Sequence, residues 1–444
     1  MKADASCRSG FIREFRGRSR SYKTNVSHAK TRPRPKHRGR FHHYGQQGQP
    51  MTASIATPRA TLSIATSGLI TIALLAFIWQ LADGSNEGRA FSYSLASGAL
   101  FGLLLQRSRF CFFCVTRDFV ERRIPDGLLG LLAALAVGTL GYHAVFGAFL
   151  PDPSGGRLPP DAHIGPLSWV LALAATVFGL GMAISGSCIS AHLYRLGEGN
   201  FASLAALGGA LLGFALGFLS WNPLYLAALQ EAPVLWLPGR LGYGGSLLLQ
   251  LALLGALAAW LLRYRQPGRS AEAQGLWSLL FGARWSTWVG GVLIGGLAVL
   301  AYFRVAPLGV TAELGSLART GADSLGWLPQ RLEGLDGFSG CATMVKETLL
   351  SNNGLFVIGL VIAAWASALA AGDFRPSSGA PRDWLRGLLG GVLLGWGSLL
   401  ALGCTVGTLL SGVMAGAASG WVFGLFCLLG IVLGLKLRPL LRLG

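Results

Sequence analysis

Seven cysteines are the residues best suited to chemistry in this chain, and five of them fall where apolar runs stop. Cys111, Cys114, Cys188, Cys341 and Cys404 lie at run ends or in semi-apolar connections. Cys427, inside Phe423–Gly430, reads as a small apolar core residue. Cys7 lies in a basic leader far from any apolar run. A thiol can ligate metal, exchange disulfides or offer a weak, polarizable S–H donor. Zinc would want four ligands, and the chain has no second CxxC to join Cys111-Phe112-Phe113-Cys114, while His143, His163 and His192 are scattered. No metal or other cofactor is expected. The CxxC leaves a redox pair open, and single thiols spaced along a path are the other reading.

The sequence compared with itself relates two of these cysteines. Gly179-Leu180-Gly181 leading to Ser187-Cys188 matches Gly395-Trp396-Gly397 leading to Gly403-Cys404 at a constant offset of 216. A small and polar stretch follows each cysteine, Ile189-Ser190-Ala191-His192 in one and Thr405-Val406-Gly407-Thr408 in the other, and a second apolar run follows each. Glycines there suit breaks in a helix, where freed backbone N–H groups face a cavity and favour an anion. Close packing alone would explain the Gly spacings but not a matched cysteine.

The elements that must hold these residues are membrane helices. Of 444 residues 52% are hydrophobic and 13% charged, too little charge to cover a soluble protein of this size. Runs long enough for a hydrocarbon core of ~30 Å occur near 62–82, 92–106, 127–150, 166–186, 200–220, 243–262, 285–303, 354–371, 385–403 and 418–437. The expected fold is all-α: a polytopic membrane protein of nine or ten spans in an inverted repeat, with short broken or re-entrant helices. The net charge of +18 is uneven, because residues 1–50 alone carry +11. That segment has no apolar periodicity and reads as a disordered basic tail over 1–60, with a start at Met51 as the alternative; no folded nucleic-acid reader accompanies it, and no nucleic-acid partner is expected.

Loop charges set an orientation. Segments 107–123 and 263–284 each carry +3, whereas 83–91 and 151–165 each carry −1. Positive charge stays cytoplasmic, so both termini are expected inside and the two halves inverted. The organisation follows as a first span at 61–90, repeat 1 at 91–262, a cytoplasmic linker at 263–284 and repeat 2 at 285–444. Arg107, Arg109, Arg117 and Arg195 serve mainly as topology determinants, with Arg109 and Arg195 the best placed to attract an anion. Glu198 is expected to pair with Arg195.

At these motifs the chain resembles the YeeE/YedE sulfur-transport family. The resemblance rests on Gln106 to Cys111, Thr116-Arg117-Asp118, Gly186-Ser187-Cys188 with Tyr194 to Asn200, Leu308 to Thr311, Ser339-Gly340-Cys341, Gly372 to Arg375, Gly403 to Gly407 and Ser419-Gly420-Trp421. It implies an inner-membrane permease, not an enzyme, importing thiosulfate or a related sulfur-containing anion. Central thiols would pass the anion along by S–H hydrogen bonds, and Cys188 and Cys404 match them with Cys341 as the intermediate one. Cys111, Gly186, Ser187, Gly340 and Gly403 complete the expected substrate-binding set. The resemblance also implies a small TusA-like sulfurtransferase as recipient inside. Neutral thiols suit this role: a thiolate facing a dianion at ~4 Å would cost on the order of 8 kcal/mol at an effective dielectric of about 20. The competing reading is a membrane thiol oxidoreductase that relays electrons through Cys111 and Cys114.

Overall fold

The computed structural model describes residues 58–265, 284–329, 331–335 and 350–438. The basic tail, most of the 263–284 linker, and Gly340 with Cys341 lie outside the described residues. What is described is helical, with three isolated β-bridges and no strand among these residues. The helices are α1 (Pro58–Leu81), α2 (Asn86–Ser108), α3 (Phe112–Arg122), α4 (Asp126–Phe149), α5 (Trp169–Ser185), α6 (Ile189–Gly197) and α7 (Ser203–Leu224). After them come α8 (Leu237–Leu262), α9 (Thr287–Arg304), α10 (Thr311–Ser324), α11 (Asn352–Ala370), α12 (Pro381–Leu400), α13 (Gly412–Met414) and α14 (Ala418–Leu437).

Among the described residues nine helical stretches are long and apolar enough to cross a membrane. A tenth crossing is a bent pair, α12 with Thr405–Met414, turned by 43° at its break. The chain is therefore an all-α polytopic membrane protein, with the number of spans the apolar runs predict. Side chains on the outer helices face lipid: Leu69 and Trp79 of α1 are 72% and 84% exposed. In water such surface would drive aggregation; in a bilayer it costs nothing. Serine caps start several helices, with Ser85, Ser168 and Ser351 each accepting from the backbone N–H three residues on.

Packing follows a regular scheme. Helix α2 lies against α11, α9 against α4, α5 against both α12 and α14, and α12 against α7. Around this core α1 touches α11, and α8 touches α4. Helices α2 and α11 run in the same direction, since Gly98 meets Phe356 and Gly102 meets Leu360. The α5–α12 pair is antiparallel, with Gly181 at Gly390 and Ala174 at Gly397. Close approach is what glycine supplies at Gly395, where a Cβ would run into the Ala210 carbonyl of α7. Backbones this close gain van der Waals contact where lipid offers no hydrophobic drive.

Among the described residues three crossings are interrupted beside a cysteine, and these three interruptions have the same form. A residue in the left-handed region stands two places before a cysteine: Arg109 (φ 51°) before Cys111, Gly186 (φ 84°) before Cys188, and Leu402 (φ 55°) before Cys404. Each cysteine then adopts extended backbone and caps the helical segment that follows. Only Gly186 takes this conformation without steric cost. Because α5 is 17 residues long, Cys188 and Cys404 sit at opposite ends of roughly 25 Å of helix.

Candidate functional site

The Cys188 end gathers most of the sequence-predicted residues. Cys188 Sγ lies 3.7 Å from Cys111 Sγ and 3.3 Å from Ser190 Oγ. Cys111 and Cys188 are buried, and neither uses its sulfur to cap the helix it starts. Their sulfurs instead face each other, held by weak contacts that a substrate atom could replace. They stand at the N-termini of α3 and α6, where unpaired backbone N–H groups give partial positive charge. Ser187 Oγ is buried and finds no hydrogen-bond partner among the described residues, nor does Thr116 Oγ1 on α3. A buried hydroxyl without a partner is costly and marks a place where another acceptor or donor belongs.

Positive charge surrounds this pair. Arg195, on α6, points one guanidinium nitrogen at Cys114 Sγ, 3.4 Å away, and the other at the Gly186 carbonyl, 3.5 Å away. Arg438 donates to the Ala183 carbonyl at 2.8 Å and lies over the Phe113 ring at 5.4 Å. A Cβ on Gly186 would be 3.9 Å from its guanidinium. Among the described residues no carboxylate reaches ion-pair distance of Arg195 or Arg438. Two guanidiniums without an ion pair among the described residues, an orphan hydroxyl, two thiols and two helix N-termini make a cradle suited to a small anion.

Arg109 behaves differently. It pairs with Glu198 at 2.9 Å and approaches Asp373 at 3.7 Å, while Arg284 reaches Asp373 from the other side at 3.8 Å. Gln106 joins both carboxylates, at 3.3 and 3.4 Å, and accepts from Ser367 at 2.8 Å. Glu198 therefore makes its ion pair with Arg109, a correction of the pairing with Arg195 expected from adjacency: the guanidinium of Arg109 reaches its carboxylate at 2.9 Å, and that of Arg195 is turned to Cys114 and the Gly186 carbonyl. Burial pushes the Glu198 carboxyl up, opposed by the Arg109 charge. Arg109 is thereby committed to a clamp between α2, α6 and the segment after α11. Arg109→Ala is expected to lower the melting temperature in detergent by several degrees. The half-exposed pair is worth about 1–3 kcal/mol, less than a fully buried one.

At the far end, Cys404 Sγ accepts from the Val406 N–H at 3.4 Å, and Gly403 lies tight against Thr408. A π-helical turn, Thr405–Ser411, follows; π turns are frequent at functional sites. Cys427 is buried inside α14, where its backbone carbonyl meets Gly179 of α5, as a core residue should be. Among the described residues no three His, Cys, Asp or Glu side chains converge as a metal site would require. Sequence reasoning missed Arg438, visible only as a terminal positive charge, and gave no sign that Cys111 and Cys188 touch.

With this geometry in hand, comparison with known proteins decides the family. Residues 107–433 match the model of the family described as sulphur transport, from just before the first cysteine break to near the end of α14. The chain belongs to that sulphur-transport family. Two named relatives agree with it. Thiosulfate transporter TsuA of Escherichia coli (strain K12) is 27% identical over 346 residues, which cover 76% of this chain and 91% of the relative. Thiosulfate transporter TsuA of Spirochaeta thermophila is 27% identical over 361 residues, covering 76% and 95%. As a member of the sulphur-transport family the protein is a multi-pass membrane transporter and not an enzyme, and the matched region contains all three cysteine breaks.

Proposed function

We propose that this protein imports thiosulfate, or a closely related sulfur-containing anion, across the inner membrane by way of neutral cysteine thiols. The observation that carries the reading is the Cys111–Cys188 pair, two buried thiols in contact at 3.7 Å beside two guanidiniums with no carboxylate at ion-pair distance among the described residues. Helix termini and arginines favour the charge; the thiols favour sulfur. Each contact is weak, as conduction requires, since every station must release as readily as it binds.

The architecture supports an alternating path in two inverted copies. The α2–α11 contact has its counterpart in α9–α4, and α5–α14 in α12–α7, as expected if α2 corresponds to α9, α4 to α11, α5 to α12 and α7 to α14. The α1–α11 and α8–α4 contacts extend the correspondence to α1 and α8. In this reading α1 joins the first copy and α8 opens the second, a different division from 91–262 and 285–444. Each copy then has five crossings, and an odd number inverts the second copy. Cys404 stands at the outer mouth and Cys188 at the inner one, with both termini cytoplasmic by the loop charges. Gly186, Ser187 and Gly403 shape the turns that present these thiols. Gly340 and Cys341 complete the path in this proposal, and a TusA-like sulfurtransferase would receive the anion inside.

Uptake of labelled thiosulfate by cells that lack other sulfur importers tests the reading: expression of this chain should restore it, and its failure to do so would overturn the substrate assignment. The oxidoreductase alternative makes Cys111 cycle with Cys114. In the structure the near neighbour of Cys111 across helices is Cys188. Mild oxidation in the membrane is accordingly expected to join Cys111 to Cys188 and block uptake, with recovery on adding a thiol reductant. Mass spectrometry of the oxidised protein identifies the pair.

A further inference from the structure

Cys114 is the thiol at the inner end that the transport path does not use. It is the third residue of α3, the helix that Cys111 starts, and residues three apart at a helix start suit the ~4.4–6.8 Å Cα separation of a disulfide. The two side chains interact, and Cys111 also meets Cys188 at 3.7 Å. Cys111 therefore stands between two thiols, one on its own helix and one at the start of α6. Access divides the three. Cys111 and Cys188 are 1% and 2% exposed, whereas Cys114 keeps part of its surface open. The Arg195 guanidinium lies 3.4 Å from the Cys114 sulfur and has no carboxylate at ion-pair distance among the described residues. An anion that carries a reactive S–S bond is thus drawn to the open thiol of the three, and an oxidation begun there has a neighbour to pass to.

We propose that Cys114, Cys111 and Cys188 form a redox switch that closes the inner mouth, with Cys114 as its entry thiol and a polythionate, an oxoanion whose two sulfonates are joined through sulfur–sulfur bonds, as its oxidant. The proposal rests on the transport reading above, since tetrathionate is two thiosulfates joined by the loss of two electrons. The Cys114 sulfur attacks one of the two central sulfurs of tetrathionate; the central S–S bond breaks, one thiosulfate leaves, and the thiol proton passes to solvent. Cys111 then attacks the Cys114 sulfur, expels the second thiosulfate and releases its own proton, which leaves a Cys111–Cys114 disulfide. Cys188 attacks Cys111 in turn: the Cys111–Cys188 bond forms, and Cys114 becomes a thiol again with the proton that Cys188 gives up. Two electrons have passed from two thiols to tetrathionate, which ends as two thiosulfates. Both thiols that would offer S–H to the anion are then consumed, and the start of α3 is tied to the start of α6. Reversal runs through the same open sulfur. Cys114 returns to Cys111, and the Cys111–Cys114 disulfide so formed is within reach of a soluble dithiol.

The test uses the full chain in proteoliposomes treated with tetrathionate on both faces. Uptake of labelled thiosulfate is followed in parallel with mass spectrometry of the disulfides trapped at successive times. The unmodified protein is expected to pass first through Cys111–Cys114, to lose uptake as Cys111–Cys188 accumulates, and to regain it with dithiothreitol. Cys114→Ser should slow inactivation, relative to its own untreated uptake, by about tenfold or more, because the oxidant must then reach a buried thiol. Raised ionic strength should slow inactivation of the unmodified protein, since the oxidant is an anion drawn by Arg195. Inactivation of Cys114→Ser at the unmodified rate overturns the proposal. So does a Cys111–Cys188 disulfide that no Cys111–Cys114 disulfide precedes, or uptake that persists once Cys111–Cys188 has closed. Should Cys114→Ser fail to fold, the order of disulfides in the unmodified protein decides. A chain that carries no thiosulfate before treatment refutes the transport reading itself, and the order of disulfides then decides the thiol chemistry alone.

Discussion

Cys188→Ser is expected to reduce thiosulfate uptake by about 100-fold or more, equivalent to roughly 2.7 kcal/mol of lost transition-state stabilisation. The substitution is mild in every structural respect. Serine is a better helix N-cap than cysteine, so α6 keeps its start, and the Ser190 hydroxyl at 3.3 Å keeps a partner. What changes is the atom offered to the substrate: a compact, strongly hydrated hydroxyl replaces a large, polarizable sulfur. A hydroxyl at this buried point also makes a firmer hydrogen bond to an oxoanion, which slows release. Unchanged melting temperature with lost uptake would place the effect on the path, and Cys427→Ser supplies the control. Cys427 is buried inside α14 and starts no helical segment at a break, so that variant should lose stability and keep most of its uptake. Uptake that survives Cys188→Ser unchanged would remove the thiol from the mechanism.

The same cysteines show how far the sequence carries and where it stops. The spans were legible because apolar runs have no other use at that length, and the Cys188 and Cys404 breaks because Gly186 and Gly403 interrupt such runs beside a repeated cysteine. The break at Cys111 has the same backbone form, yet a bulky Arg109 takes the left-handed position there and Leu402 takes it before Cys404. Neither residue signals that conformation, since tertiary contacts impose it. The meeting of Cys111 with Cys188 depends on how α3 and α6 fold back at one end of the bundle, over 77 residues of separation. No local pattern encodes that. For the arginines the sequence supplied charge but not partners: Arg109 and Arg195 looked alike until Glu198 and Asp373 were found around one of them and a thiol beside the other.

That difference makes Arg195 the second substitution with a large expected effect. Arg195→Gln should raise KM for thiosulfate by about 10–100-fold, the range of a charge-assisted hydrogen bond worth ~1.5–3 kcal/mol. The argument is one of compensation. Arg109 already spends its charge on two carboxylates, so an anion approaching it meets a nearly neutral cluster. Arg195 meets the Cys114 thiol and the Gly186 carbonyl, has no carboxylate at ion-pair distance among the described residues, and keeps more of its attraction for a dianion. Glutamine retains a donor for the Gly186 carbonyl, which protects the turn, while removing the charge. Arg195→Lys should recover part of the affinity but not all, because an ammonium cannot serve Cys114, Gly186 and an anion in one planar fork. Salt gives an independent reading, since KM of the unmodified protein should rise with ionic strength more steeply than that of Arg195→Gln. Equal salt slopes in the two proteins would mean that the anion meets its positive charge elsewhere, and Arg438 would be the next residue to replace.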